Sequence, residues 1–220
     1  MEALQGKRQP GREPVRRLVV TLAALLAVAG AAQAQTQTPP PSPVTTVLTT
    51  EADGTVTLDQ RVVVNAPLAE VWQALTTSDG WRGWAAPFAV VDLRPGGMIE
   101  TSYRPDAQAG SPENIRNLVL AYLPKRMFAI RNVQAPPKAP FDVPTFQSMH
   151  TVVLVEPLTE RTTAVSFVQP GYRAGEPYDT VLKHFRWGNG WTLEQLKKRF
   201  DVGPVDWAKL AAEAQKAAKK

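Results

Sequence analysis

Cysteine is absent from all 220 residues. That absence excludes disulfides, a thiol nucleophile, thiolate metal sites and a lipid-modified cysteine behind a leader. Histidine is scarce too, with only His150 and His184. Neither stands in metal-ligand spacing with the other or with a carboxylate, so no metal and no other cofactor is expected. The serines form no nucleophile elbow. The "RPGG" at 94–97 reads as a tight turn, because it lacks the longer glycine spacing and the lysine of a phosphate-cradling loop. Excess charge of one sign is also largely missing. The formal net charge is +5, but residues 1–34 hold five basic and two acidic side chains, which leaves +2 for the rest. No dense Lys/Arg stripe interleaved with aromatics occurs there, so nucleic acid is not an expected partner.

Long apolar runs are equally few. The one that stands out is Leu18 to Ala32, preceded by Lys7, Arg8, Arg12, Arg16 and Arg17 and followed by "AQA" at 32–34. This pattern predicts a secretory signal peptide over 1–34, cleaved after Ala34. The run falls short of the roughly 20 apolar residues of a membrane-spanning helix, so no stable span is expected after cleavage. A periplasmic or secreted location follows. Arg16-Arg17 keeps a twin-arginine route open beside the ordinary one.

What remains divides into three parts. Residues 35–50, "QTQTPPPSPVTTVLTT", lack any apolar period and carry adjacent prolines, and they read as an extended spacer. Residues 51–203 form the folded body, long enough to bury about 70% of its unfolded-chain surface in one core. Residues 204–220 read as an amphipathic tail.

Alternation over "GTVTLDQRVVVN" predicts a strand. The following "NAPLAEVWQALTT" predicts a helix with Asn65 placed to cap it, Pro67 in its first turn, and Leu68, Val71, Trp72 and Leu75 on one face. A half-helix at "SDGWRGW" precedes six strands in meander near "FAVVDL", "GMIETSY", "NIRNLVLAYL", "RMFAIRNV", "TFQSMHTVVLVEPL" and "RTTAVSFVQ". A long helix around "YDTVLKHFRWGNGWTLEQLKKRF" ends the body. Such a helix must cover the apolar face of an antiparallel sheet.

The stretch from Val62 to Tyr103 resembles the opening of the START-like, helix-grip superfamily, also called SRPBCC. It is most similar to the Aha-type branch, the homologues of the activator of heat-shock protein ATPase. The residues that carry the resemblance are Ala66-Pro67, Val71-Trp72, Leu75-Thr76, Trp84 with Pro87 close behind, "DLRPGG" at 92–97, and the terminal "GWTLEQLKKRF". It covers about Val56 to Phe200. The resemblance implies an α+β helix-grip (START/Bet v 1-like) fold: a curved antiparallel sheet wrapped around a long C-terminal helix, with an internal cavity between them.

At 100° per residue, Tyr178, Leu182, Phe185, Asn189, Thr192, Leu193, Leu196 and Phe200 fall on one face of that helix. His184, Trp187 and Trp191 fall on nearly the opposite one. Two glycines inside a helix, Gly188 and Gly190, call for a reason, since each costs about 1 kcal/mol relative to alanine. Either the backbone approaches the sheet closely, or the helix breaks and restarts on a capping box of Thr192 and Gln195. The resemblance favours a continuous helix. The Trp187 and Trp191 face is expected to be covered by the C-terminal "GPVDWAKLAAEA", where Trp207, Leu210 and Ala214 share a face, or else to meet a second copy in a weak dimer.

The ligand-contact candidates are Trp84, Phe185, Asn189 and His150. Asn189 stands out because a buried amide needs a partner, whether ligand, strand backbone or water. His150 is in phase with Val152 and Leu154 and is a weak candidate to face the cavity. Glu100, in phase with Met98, is a weak general acid or base candidate, against the alternative of a solvated carboxylate. A stiff loop with prolines 136, 137, 140 and 144, carrying Phe141 and Phe146, is a candidate roof for the cavity mouth.

Three functions stay open. The first is an exported domain binding a small, mainly apolar molecule. The second is a cyclase- or dehydratase-like enzyme using His150 and Glu100 on a hydrophobic substrate. The third is the co-chaperone role that the branch name implies, which needs a cytoplasmic partner.

Overall fold

The computed structural model describes residues 42–135 and 139–217. The expected leader, the start of the spacer, and Pro136 and Pro137 lie outside the described residues. The elements are β1 (Thr45–Thr50), β2 (Val56–Val64), α1 (Leu68–Thr76), α2 (Ser78–Arg82), β3 (Phe88–Val91), β4 (Met98–Ser102), β5 (Ile115–Leu123), β6 (Met127–Gln134), α3 (Val143–Ser148), β7 (His150–Thr159), β8 (Thr162–Tyr172), α4 (Tyr178–Asp201) and α5 (Trp207–Ala217).

All eight strands join one antiparallel sheet in the order β1-β2-β8-β7-β6-β5-β4-β3. In the meander from β3 to β8, short turns join β3 to β4, β5 to β6 and β7 to β8, while longer connections over 103–114 and 135–149 join β4 to β5 and β6 to β7. At the first of the short turns, Gly96 takes a φ of 81°, and a Cβ on Gly97 would stand 2.1 Å from the Asp92 carbonyl oxygen. The β3–β4 hairpin therefore requires both glycines.

Strand alternation puts one residue set on the concave face. Val62, Val64, Ile99, Val119, Phe128, Val153, Val155, Val165 and Phe167 form a single buried cluster with Val71, Trp72 and Leu75 of α1 and Leu193 and Leu196 of α4. Helix α4 runs unbroken through Gly188, Asn189 and Gly190. Thr192 bonds back to the Gly188 carbonyl at 2.7 Å, as an interior helical threonine does, and restarts nothing. Gly190 explains itself by close approach. A Cβ there would meet Nε2 of Gln60 at 3.2 Å. That buried amide donates to the Arg186 carbonyl at 2.9 Å and to Thr46 Oγ1 at 3.2 Å. Gly188 is different, because a Cβ there would meet nothing within 4 Å.

Three local expectations are corrected. Thr45–Thr50, assigned above to the spacer, is an edge strand in full register with β2, because β-branched Thr and Val suit a half-exposed strand. Thr145–Ser148 is helical, not part of a strand. Asp142 accepts from the Thr145 backbone N–H at 2.8 Å and caps α3. Asn65 does not cap α1, whose start at Pro67 has no side-chain cap. Its amide instead donates to Asp201 at 3.1 Å and joins the start of α1 to the end of α4.

The two helix glycines make a paired prediction. Gly188→Ala raises stability by about 1 kcal/mol through helix propensity. Gly190→Ala lowers it by about 1–3 kcal/mol, because the new methyl displaces the Gln60 amide from its partners. Urea midpoints moving in opposite directions are the expected result, and a rise in both would mean that α4 does not rest on Gln60.

Candidate functional site

Between α4 and the concave face, part of the space is not filled. A cavity of about 130 Å³ is walled by Leu75, Trp81, Phe128, Ile130, Val153, Phe167 and Phe185, with Asn117, Asn132, Thr151, Asn189 and Thr192 as its polar positions. Strand parity selects these residues: 128, 130 and 132 from β6, and 151 and 153 from β7, point the same way. No carboxylate, histidine or lysine is among them.

The polar groups are partly spent on one another. Gln169, fully buried on β8, donates to Thr151 Oγ1 at 2.8 Å. Its Oε1 accepts from the Tyr172 hydroxyl at 3.1 Å and from Asn189 Nδ2 at 2.9 Å. Burial pushes the Tyr172 phenol well above its usual range, which keeps it a neutral donor. Across the cavity, Asn132 Nδ2 donates to Asn117 Oδ1 at 2.5 Å. Asn189 thus fixes its amide nitrogen to the sheet, while its Oδ1 has no hydrogen bond among the described residues.

A row of aromatic rings adjoins the cavity at Phe185. Phe185 stacks on Phe146 at 5.0 Å and 5°, Phe146 stacks on Phe141 at 4.4 Å, and His184 leans on Phe141 at 4.4 Å. Phe141 and Phe146 belong to the proline-rich connection, which packs through helix α3 on Phe185; neither ring lines the cavity itself. Burial lowers the His184 pKa below its ordinary 6.5.

A second, larger hollow lies on the other side of α4. It holds about 550 Å³ between Pro87, Tyr103, Pro105, Trp187, Gly188 and Trp191 on one side and Trp207, Leu210 and the adjacent alanines of α5 on the other. The base of α5 is tied down: Trp207 Nε1 donates to the Arg82 carbonyl at 2.7 Å, and the Val205 N–H to the Gly83 carbonyl at 3.0 Å. Beyond that base α5 stands off. Trp187 remains 71% exposed and Leu210 40% exposed. The expected cover of the tryptophan face is therefore only a wall opposite it. The side chain of Ala214 lies outside the described residues.

The sequence of residues 65–201, more than half of the chain, matches the family model described as "Activator of Hsp90 ATPase homolog 1-like protein". The chain belongs to this family. Solved structures of similar fold include a protein of Mycobacterium smegmatis, 21% identical with a TM-score of 0.51, covering 70% of this chain and 95% of that one. A conserved protein of unknown function from Enterococcus faecalis is 14% identical with a TM-score of 0.51, over 79% and 90% of the two chains. CalU16 from Micromonospora echinospora is 17% identical with a TM-score of 0.51, over 77% and 80%. At such identities these likenesses speak for the fold alone. Comparison with curated proteins gave no match.

In this Aha-type domain, two of the four expected ligand contacts, Phe185 and Asn189, reach the cavity. Trp84 does not. It is fully buried in the main core, with its Nε1 spent on the Ala74 carbonyl at 2.9 Å, and the neighbouring Trp81 takes the place at the cavity wall. His150 is also misplaced by the expectation. Thr151, Val153 and Val155 are the buried set of β7, so His150, Val152 and Leu154 face away. Glu100 is neither in the cavity nor solvated. Ile99 takes the core side of β4, while the Glu100 carboxylate is buried under the 104–114 loop, accepting from the Gly110 N–H at 2.7 Å and from Asn114 Nδ2 at 2.6 Å. Among the described residues, no group of three His, Cys, Asp or Glu side chains could hold a metal, and no helix is long and apolar enough to cross a membrane. Asn117, Asn132, Thr151 and Gln169 went unnoticed in the sequence. Their signal was an amide or hydroxyl standing in phase with strand residues that are otherwise apolar.

Two measurements check this geometry. Gln169→Leu strips partners from Thr151, Tyr172 and Asn189 together, and a loss of about 2–4 kcal/mol in urea unfolding is expected. Because the folded His184 pKa lies below the unfolded one, the unfolded chain binds the proton first as pH falls. Its contribution to stability is complete above about pH 6.5 and is lost as pH drops through the folded value. His184→Phe should flatten that part of the stability profile, and an unchanged profile would place the titration elsewhere.

Proposed function

We propose that this domain is exported and binds a small, mainly apolar molecule in the cavity between its sheet and α4. The observation that carries the reading is the composition of the wall. Seven apolar or aromatic side chains surround three carboxamides, and Asn189 is held by Gln169 through its Nδ2, while its Oδ1 has no bonding partner among the described residues. This is the make-up of small-molecule sites, which are mostly apolar with a few placed polar groups. At about 130 Å³ the cavity is well below the roughly 300–1,000 Å³ of drug-sized pockets. The occupant is therefore small and carries one donor for Asn189.

An acid–base enzyme of the cyclase or dehydratase kind draws no support from this wall. The two groups it would use, His150 and Glu100, lie on other faces of the sheet. The family description names an activator of an ATPase, and a protein-interaction role is the alternative here. It requires a cytoplasmic partner, which an exported chain does not meet.

Native mass spectrometry of the protein purified from its own producer, followed by denaturing extraction, tests the proposal. A co-purifying small molecule that is retained by the parent and lost from both Asn189→Leu and Phe185→Ala is the expected result. A parent protein that is empty from every preparation would shift the weight to protein interaction.

A further inference from the structure

The hollow between α4 and α5 has no part in the proposed function, yet it is about four times larger than the inner cavity. We propose that it is a second, separate binding site, and that its ligand is a neutral, planar aromatic molecule.

Neutrality follows from the lining. Pro87, Tyr103, Pro105, the tryptophans and the small residues of α5 include no charged side chain, so an ionic group placed there would lose water and gain no counter-charge. Planarity follows from the shape of the walls. Four of the lining residues are Trp or Tyr, and the Tyr103 ring meets Trp191 edge to face at 6.2 Å and 69°. Flat rings prefer such offset or edge-to-face neighbours, whereas a flexible acyl chain gains nothing from ring orientation. The walls are also fixed in advance. Trp207 spends its N–H on the Arg82 carbonyl, so its ring is held at the base of the groove before any ligand arrives.

Gly188 supplies the independent observation. The companion glycine, Gly190, has a reason in its close approach to Gln60. At Gly188 nothing among the described residues would touch a side chain within 4 Å, so their packing does not ask for glycine there. It lies between Trp187 and Trp191 on the groove floor. A ligand seated directly on the helix backbone between the two indoles gives this position its reason. At about 550 Å³ the groove is within the range of small-molecule sites.

The test uses the full purified chain and N-phenyl-1-naphthylamine, a neutral two-ring fluorophore, followed by its own emission and by energy transfer from tryptophan. Saturable binding is expected, weakened at least tenfold by Gly188→Leu, which fills the floor, and by Trp187→Ala, which removes an exposed ring and leaves the core alone. Phe185→Ala and Asn189→Leu should leave that binding unchanged, which separates this site from the inner cavity whether or not the latter proves functional. Loss of binding in the cavity variants with retention in the groove variants would overturn the proposal. So would equal competition by dodecanol, which would indicate an acyl-chain site. Sedimentation showing a dimer that Trp187→Ala dissociates, with no probe bound to either form, would make the groove a subunit contact and would also overturn it.

Discussion

The close seat of α4 on β2 is the constraint from which the rest of the structure follows. Gly190 has no side chain, the Gln60 amide occupies that space, and its hydrogen bond to the Arg186 carbonyl holds the helix at a fixed height above the sheet. One turn away, the Asn189–Gln169 contact fixes the rotation of the helix about its axis. With height and rotation set, Leu193 and Leu196 fall into the main core, Phe185 stacks on Phe146, and Trp187 and Trp191 turn outward. The inner cavity and the outer groove are thus two consequences of one placement, on opposite sides of the same helix.

The two hollows differ in physical character. The inner one is small and has amides at fixed positions, so an occupant with one mismatched polar group would leave a buried partner unsatisfied. The outer one is larger and apolar, so an occupant there would be chosen by shape and ring contact.

The order of elements could be read in the sequence because turn residues and alternating apolar positions repeat along the meander, and the resemblance at Ala66-Pro67, Trp84 and "DLRPGG" named the architecture. Facing was harder to read. His150 and Val152 carry the same period as Thr151 and Val153, and only the neighbouring strands decide which set is inside. Trp84 looked like a cavity residue because tryptophan suits both a core and a pocket; a carbonyl at Ala74, ten residues away in sequence, made it core. Glu100 was hidden for a related reason: its partners, Gly110 and Asn114, come from a loop with no regular pattern. The Gly-Asn-Gly interruption in α4 did mark the right place, since one glycine answers a contact across the fold and the asparagine reaches the cavity.

Strand β1 has a mechanical consequence. It lies at the sheet edge, antiparallel to β2, with Thr45 opposite Arg61 at the open end of the pair and Thr50 opposite Val56 at the turn. A pull on the chain from the side of Ser42 loads the Ser42–Glu194 hydrogen bond to α4 and the Thr45 end of the ladder before the rungs nearer the turn. The second rung is Thr46, which holds the Gln60 amide that supports α4. Tension applied at the start of the folded body therefore reaches the clasp between sheet and helix early.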